Sequence, residues 1–358
     1  MALLQRFRHV GRKPLLTGLD IGSHSIKLVR LKARSGGYQL VNFGIMPLPA
    51  RAVVDHTILD EDSVVTAIRN LIRMEKISAG DAAVALSGQA VLTKTLRLPR
   101  MRDRELAEAM QWEAEQHIPF DMADVNLDFR ILPSGNATSG QMDVLLVAAR
   151  KTTVADRTGL LSAAGLRPVV VDIDAFAVAN AFEAAHGLAE VPIALVDIGA
   201  STMNVSIVAN GVTLFQRAVA TGGDRYTSAV QNAFGVDHEE AEALKMGHGH
   251  LDAAHRETLL DVLAVGSAEI GDEIQRSFDL FRASTNRRVG RAVISGGCAR
   301  LKGLALFLGT HLGLPVSVEN PFDRIYCDDS QFDTAYLQDM APLAAVATGL
   351  ALRRRGDR

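Results

Sequence analysis

The chain has 358 residues, enough for two or three domains at roughly 150 residues each and for a core that needs no disulfide or metal staple. Its 38 Lys and Arg nearly balance 41 Asp and Glu, so there is no basic field for gripping nucleic acid; 48 % hydrophobic and 22 % charged residues exclude disorder, collagen and coiled coil as the main theme. Cys298 and Cys327 stand apart, with no CxxC and no nearby His pair, which excludes a disulfide framework and a thiol zinc site and fits a reducing compartment.

In chain order, residues 1–14 carry Arg6, Arg8, Arg12 and Lys13, with Leu3, Leu4, Phe7 and Val10 at helical spacing. This reads as a packed or frayed terminal segment, or as a short membrane-surface anchor. No run of 18 apolar residues occurs, so no transmembrane helix is expected and the chain reads as cytoplasmic. Residues 15–31 (LLTGLDIGSHSIKLVRL) form an apolar strand, Asp-Ile-Gly, a small polar turn and a second alternating strand. Residues 193–208 (IALVDIGASTMNVSIV) repeat this arrangement, Asp197 following Asp20 by 177 positions.

Between the hairpins, residues 62–75 have helical apolar spacing (Val64, Val65, Ile68, Leu71, Ile72), and 82–86 and 94–98 read as strands, the second ended by Pro99. A helix is expected over 103–117 with Asp103 as N-cap, then strands at 125–132 and 142–148 about the Ser/Gly/Asn loop 133–140. A helix over 151–164 is stopped by Gly165, and 169–173 is a strand. The block around 93–164 alternates strand and helix in its own right and reads as an inserted subdomain, with outer limits near 88 and 165. In the second half, 224–234, 237–245 and 261–284 are helices and 291–294 is a strand running into Gly-Gly. A helix at 301–312, a strand at 315–318 and a last helix at 340–353 complete an α/β pattern.

The hairpin mouths carry the chemistry. Consecutive amides and hydroxyls in a small-residue turn suit phosphate oxygens. Lys27, seven residues after Asp20 on the returning strand, can turn its ammonium back toward such a group. Asp20 and Asp197 each end a first strand and would face one cleft, placed to hold Mg²⁺ through its waters. Either hairpin alone is an ordinary Asp-capped turn; the two together suggest a duplicated core around that cleft. Gly296 and Gly297, at a strand end, would let a flat ligand approach the backbone, and Gly222 and Gly223 open a helix with either free amides or an Asp224 cap. His248 and His250 read as a loop, since no acidic or thiol partner stands at ligand spacing.

These four pieces, in this order, resemble the nucleotide signature shared by actin, Hsp70 and the sugar kinases. Residues 171–182 (VDIDAFAVANAF) and 341–353 (APLAAVATGLALR) look like the two connecting helices, and TGGDRYTSAV followed by EEAEALKMG resembles the bacterial actin homologues of the FtsA and PilM type. Residues 98–132, with Trp-Glu-Ala-Glu and Ile-Pro-Phe, resemble the PilM family of type IV pilus assembly proteins, the likeness running from about 15 to 353. The resemblance implies an α/β fold with a duplicated actin/ribonuclease-H-like core, two lobes around a nucleotide cleft. Residues 15–190 would form the first lobe with its inserted α+β subdomain, and 191–340 the second, with a smaller subdomain at about 221–289. Residues 341–358 would return to the first lobe.

The same resemblance implies ATP and Mg²⁺. Asp20 and Asp197 would face the metal; Gly22, Ser23 and Lys27 would meet the β and γ phosphates from one side, and Gly199, Ser201 and Thr202 from the other. Gly222 and Gly223 join the cofactor contacts, Glu242 and Lys245 flank ribose and adenine, and Gly296 and Gly297 lie against the nucleoside. The alternative for Glu242 and Lys245 is a solvated i,i+3 ion pair. Asp174 and Asp197 are the expected catalytic carboxylates. Asp174-Ala175 stands where relatives often have Glu-Pro, and a carboxylate one methylene shorter implies slow hydrolysis. The implied partner is the cytoplasmic N-terminal tail of the membrane protein PilN in the pilus inner-membrane complex, placing the chain peripherally at that membrane. Its expected receptor is the insert, beside helix 103–117, where Leu106 and Met110 either meet the tail or fill the subdomain's own core. The rival readings are a small-metabolite kinase of the same superfamily, with Asp172 or Asp174 as base, and an FtsA-like filament protein.

Overall fold

The computed structural model describes residues 16–357 apart from 55, 79, 88–89, 133–139 and 250; the basic segment 1–14, most of the loop 133–140 and His250 therefore lie outside the described residues. The first lobe begins with β1 (Thr17–Ile21), β2 (Ser25–Arg34) and β3 (Gly37–Pro47), a small hairpin β4 (Val53–Val54) and β5 (Thr57–Ile58), helix α1 (Glu61–Met74) and β6 (Asp81–Leu86). α1 forms because Asp60 caps it, accepting from the Ser63 amide at 3.0 Å, while Val64, Ala67, Ile68 and Leu71 bury one face. The inserted segment follows as β7 (Val91–Pro99), α2 (Asp103–His117), β8 (Val125–Ile131) and β9 (Gln141–Arg150). Helix α3 (Lys151–Ala163), β10 (Arg167–Ile173) and α4 (Asp174–His186) return to the lobe.

The second lobe has β11 (Ile193–Ile198), β12 (Met203–Ala209), β13 (Val212–Val219), α5 (Gly223–Phe234), α6 (His238–Lys245), α7 (Ala253–Thr285), β14 (Arg291–Ser295), α8 (Leu304–Leu312) and β15 (Val316–Val318). β16 (Ile325–Tyr326), α9 (Thr334–Met340) and α10 (Ala345–Ala351) end the described chain. The sheets are ordered β10-β6-β1-β2-β3-β16 and β13-β12-β11-β14-β15. Reading each from its inner parallel strand to its outer hairpin gives the same plan, so the duplication expected from the two Asp-Ile-Gly segments is present in the topology. Register extends it to single residues: Asp20 pairs with Lys27 and Asp197 with Asn204.

Each lobe has its own core, Leu19, Ile26, Leu28 and Ile68 in the first and Val196, Val205, Ile274 and Phe281 in the second. A third cluster joins them, with Ala177, Val178 and Phe182 of α4 and Ala345, Val346 and Leu350 of α10 against strands of both sheets. α10 lies on β1 and α4 at backbone distance. A Cβ on Gly349 would fall on the Ala177 carbonyl, and one on Gly18 would fall on the Ala347 carbonyl. The insert is a separate sheet, β7-β9-β8, closed by Leu106, Met110 and Ala114 of α2 against Val144, Leu146 and Ala148. Leu106 and Met110 thus fill the subdomain's own core. α3 lies within the expected insert limits, yet its Leu160 and Leu161 pack in the first-lobe core.

Several expected boundaries shift for physical reasons. The cap of α2 is Arg102, whose amide bonds the Glu105 carboxylate at 3.0 Å, and Asp103 is the first helical residue. α7 starts at Ala253, because Asp252 caps it with a 2.8 Å bond from the His255 amide; its exposed first turns lack the apolar spacing that marks the rest. α8 starts only at Leu304, after Gly303 takes a φ of +85°. The single helix expected over 340–353 is divided into α9, a 3-10 turn at Ala341–Ala344 and α10, with the Pro342 carbonyl diverted to the Gly296 amide at 2.8 Å. β3, β4, β5, β13 and β16 had no expected counterpart, and α9 lies almost wholly before the expected last helix.

Two outcomes follow from this packing. Gly349→Ala is expected to lower stability by about 1–3 kcal/mol by forcing α10 off α4, read as a lower urea midpoint at unchanged slope. His186, on α4, lies 3.2 Å from the carboxylate of Glu319, which is 2 % exposed, and the hydrogen bond to that carboxylate raises the imidazole above its ordinary range while burial opposes it. A raised folded-state pKa gives stability that is complete below the unfolded value of about 6.5 and lost as pH rises through the folded one. Wild-type stability should therefore fall more steeply than that of Glu319→Gln between about pH 6 and pH 8; parallel urea midpoints would contradict this.

Candidate functional site

The equivalent ends of β1 and β11 meet across a cleft of about 300 Å³. Asp20, at the end of β1, pairs with Lys27 at 3.2 Å, directly across the hairpin. Asp197, in the same place on β11, accepts a 2.8 Å bond from Ser295 on the neighbouring parallel strand. Asp174 begins α4, where β10 ends, and faces the same space. Burial raises Asp174 well above the ordinary carboxylate range, and the charges of Asp20 and Asp197 raise it further, against a hydrogen bond from Ser87 and the charge of Arg157. Asp197 is raised by burial and by Asp20, while Ser295 and Lys27 oppose.

Arg157, 4 % exposed, is lowered by burial and held charged by Asp174, Asp20 and Asp156. It donates to the carbonyls of His56 (3.1 Å) and Ile21 (3.4 Å). Asp20, Asp174 and Asp197 converge at this end of the cleft beside Lys27, a carboxylate-rich donor set that fits a cation. Among the described residues no three carboxylate, imidazole or thiol groups form a direct ligand set, so a cation here would be met mainly through its waters and its anion.

The two turns meet through their hydroxyls. Ser23 Oγ lies 3.0 Å from Ser201 Oγ, and Thr202 Oγ1 lies 2.9 Å from His56 Nε2. Gly22 and Gly199 use their own amides to close their turns, onto Ser25 (3.2 Å) and Thr202 (2.9 Å) carbonyls. The amides at the start of α5 are not free either: Gly223 and Asp224 donate to the Gly199 and Ala200 carbonyls, each at 2.9 Å. Gly223 lines the cleft, whereas Gly222 lies behind it, packed on those carbonyls so closely that a Cβ would sit 2.5 Å from both.

Glu242 and Lys245 are not a solvated pair. The Lys245 side chain is 8 % exposed and its Nζ reaches Glu242 (2.5 Å), Thr227 (2.9 Å) and the Gly223 carbonyl (3.4 Å). Burial pushes Glu242 up, but Lys245, Thr227 and His24 outweigh it and hold the carboxylate below its ordinary value. Gly296 adopts a φ of +84°, and a Cβ there would lie 2.9 Å from Asp197 Oδ1; Gly297 has open space around its Cβ position. The cleft thus collects every expected site residue except Gly222: Asp20, Gly22, Ser23, Lys27, Asp174, Asp197, Gly199, Ser201, Thr202, Gly223, Glu242, Lys245, Gly296 and Gly297. Sequence reasoning missed His56, Arg157 and Asn204. The seven-residue offset from Asp197, matching Lys27 from Asp20, could have found Asn204; nothing local marked the other two.

A second groove, of about 420 Å³, lies on the face of the inserted sheet away from α2. Leu145, Val147 and Ala149, with Asn126, Asp128 and Arg130 opposite them in register, form one wall, and Phe176 and Ala179 of α4 the other. Its polar end holds Asp172 and Arg353, 3.3 Å apart, and Glu183, which burial pushes up to about 7.

Residues 18–355 match the family model for type IV pilus assembly protein PilM. The structure is similar to the chain of a PilM-PilN type IV pilus biogenesis complex, at TM-score 0.84 and 29 % identity over 95 % of this chain and 98 % of that one. It is also similar to the ethanolamine utilization protein EutJ of Carboxydothermus hydrogenoformans (TM-score 0.59, 17 % identity, 95 % and 89 % covered) and to MreB5 of Spiroplasma citri bound to AMPPNP (0.52, 12 %, 95 % and 95 %), which supports the actin-like fold. Among curated proteins, the cell division protein FtsA of Streptococcus pneumoniae is 22 % identical over 87 % of this chain and 77 % of its own length. FtsA of Bacillus subtilis is 20 % identical over 71 % of this chain, and the match spans 62 % of the Bacillus protein.

Proposed function

Because the chain belongs to the PilM family of type IV pilus assembly proteins and has the actin-like two-lobe fold, we propose that it is a pilus-assembly scaffold that binds ATP with Mg²⁺ between its lobes. The observation that carries this reading is the pair of Asp-Ile-Gly hairpins, in equal register, facing one cleft on which Asp20, Asp174 and Asp197 converge. Asp20 and Asp197 would hold the metal through its waters, and the metal would screen the phosphate charge. Ser23, Lys27, Ser201 and Thr202 would take phosphate oxygens, with Gly22, Gly199 and Gly223 shaping their turns. Glu242 and Lys245 would flank the ribose and base, and Gly296 and Gly297 would give the nucleoside its floor. Hydrolysis is weak or regulatory in this reading, because Asp174 is a methylene shorter than glutamate and its environment favours the neutral form, a poor acceptor of a proton from water.

The partner in this reading is the cytoplasmic N-terminal tail of PilN, which brings the chain to the inner-membrane complex; among the described residues no helix is long and apolar enough to cross a membrane. The tail would dock in the groove between the inserted sheet and α4. Helix α2 is a poor receptor, since its apolar face is already closed against its own sheet. The groove offers an apolar wall with polar groups at one end, which suits a short segment that orders on binding.

Calorimetric titration tests the nucleotide reading. Wild type should bind both Mg·ATP and metal-free ADP, and Asp197→Ala should weaken Mg·ATP by roughly 10- to 100-fold while changing ADP much less. No binding at millimolar nucleotide would end the reading. A labelled PilN tail peptide tests the groove: Val147→Glu should abolish binding, while Trp112→Ala, 71 % exposed on the far side of the insert, should leave it unchanged. Loss with Trp112→Ala and retention with Val147→Glu would move the tail to α2.

A further inference from the structure

His56 lies at the turn between β4 and β5 and has a φ of +64°, a left-handed backbone that a non-glycine residue adopts at a cost. The surroundings hold it there: its carbonyl accepts from the buried Arg157 guanidinium, and its ring reaches both lobes. Nε2 is 2.9 Å from the Thr202 hydroxyl of the second lobe, and the Ser87 hydroxyl of the first lobe is 2.5 Å from Nδ1 and 3.1 Å from Nε2. Ser87 in turn bonds the Asp174 carboxylate. Thr202, Ser87 and Asp174 are thereby strung on one imidazole across the mouth of the cleft.

The ring's shortest contact is Nδ1 to the Ser87 hydroxyl at 2.5 Å, made when Nδ1–H donates to Ser87. That tautomer leaves Nε2 without a proton, and it accepts the only proton of the Thr202 hydroxyl. In this tautomer Thr202 points its proton at His56. A terminal phosphate offers acceptors alone, and Thr202 can serve it only by turning that proton away from the ring.

We propose that His56 is a specificity-determining residue that sets how strongly the cleft prefers a nucleoside triphosphate over a diphosphate, by competing with the terminal phosphate for the Thr202 hydroxyl. The inference rests on the nucleotide reading above and goes beyond its assignment of contacts. With the diphosphate the His56–Thr202 bond stays and ties the lobes together; with the triphosphate Thr202 leaves His56, and the Ser87–Asp174 end of the chain is free to rearrange. Arg157 keeps the β4–β5 turn in place in both states.

The test is the ratio of Mg·ATP to Mg·ADP affinity by calorimetry in wild type, His56→Gly and His56→Gln. Glycine accepts the positive φ, so His56→Gly keeps the turn while removing the competitor together with the ring's contact to Ser87. Its ATP preference is expected to rise by roughly fivefold, the worth of one net hydrogen bond, with ADP affinity nearly unchanged. His56→Gln keeps an acceptor at the distance of Nε2 and should hold the ratio near wild type. A ratio in His56→Gly that stays level or falls would overturn the proposal, the fall marking His56 as a phosphate contact or a general support. Wild type that binds neither nucleotide would remove the nucleotide reading and this inference with it, whereas normal binding with an unmoved ratio removes only the role of His56.

Discussion

Where α10 crosses between β1 and α4, there is room for backbone and nothing more. Gly18 and Gly349 meet carbonyls with no side chain between, and Ala177, Ala345 and Ala347 line the rest of the contact. Close-packed interiors transmit displacement, so this contact fixes the separation of the elements it touches. Each of those elements carries a cleft group: Asp20 ends β1, Asp174 begins α4, and the turn before α10 binds the Gly296 amide through Pro342. The cleft inherits its geometry from a contact built of the smallest residues in the chain.

The cleft itself is costly to the fold. Burial and the charge of Asp20 raise Asp174 and Asp197, His56 takes a left-handed backbone, and the turn hydroxyls of the two lobes satisfy one another. Local rules are broken here and kept elsewhere: α1 and α6 have ordinary Asp caps and the lobes have apolar cores. Concentrated violations of this kind mark where the chain does something besides fold.

Much of this was legible in the sequence, unevenly. The duplicated core was readable because both Asp-Ile-Gly hairpins repeat over contiguous residues, and the helices of the second lobe because their caps and apolar spacing are local. Glu242 and Lys245 were readable as a pair but not as a buried one, since Thr227 and Gly223 come from another helix. His56 and Arg157 belong to a loop and to a helix of weak amphipathic pattern, and only the fold brings them to Asp174. The groove proposed for the tail lies on the opposite face of the insert from the one expected, for a related reason. Apolar residues at alternate positions of β9 face opposite ways, and the sequence does not say which face the subdomain keeps for itself: Val144, Leu146 and Ala148 close on α2, while Leu145, Val147 and Ala149 remain for the groove.

The seat of β1 also bears on how the chain is made. The strand formed by residues 17–21 is completed by a helix at 345–351, and β16 at 325–326 adds the edge to the sheet that β3 began at 37–47. The first lobe emerges from the ribosome early but lacks its inner helix and outer strand until nearly the whole chain is synthesised. Contacts this distant in sequence are slow to close, and a nascent first lobe leaves Gly18, Leu19 and the strands beside them incompletely covered in the meantime. The sheet of the second lobe is drawn wholly from 193–318, and although Ile193, Leu195, Val208 and Val293 also pack against α10, that helix follows β15 by fewer than 30 residues. The duplicated halves, alike in topology, are therefore unlike as folding units: both are closed by α10, but the earlier one waits for it across nearly the whole of this sequence and the later one across a short stretch.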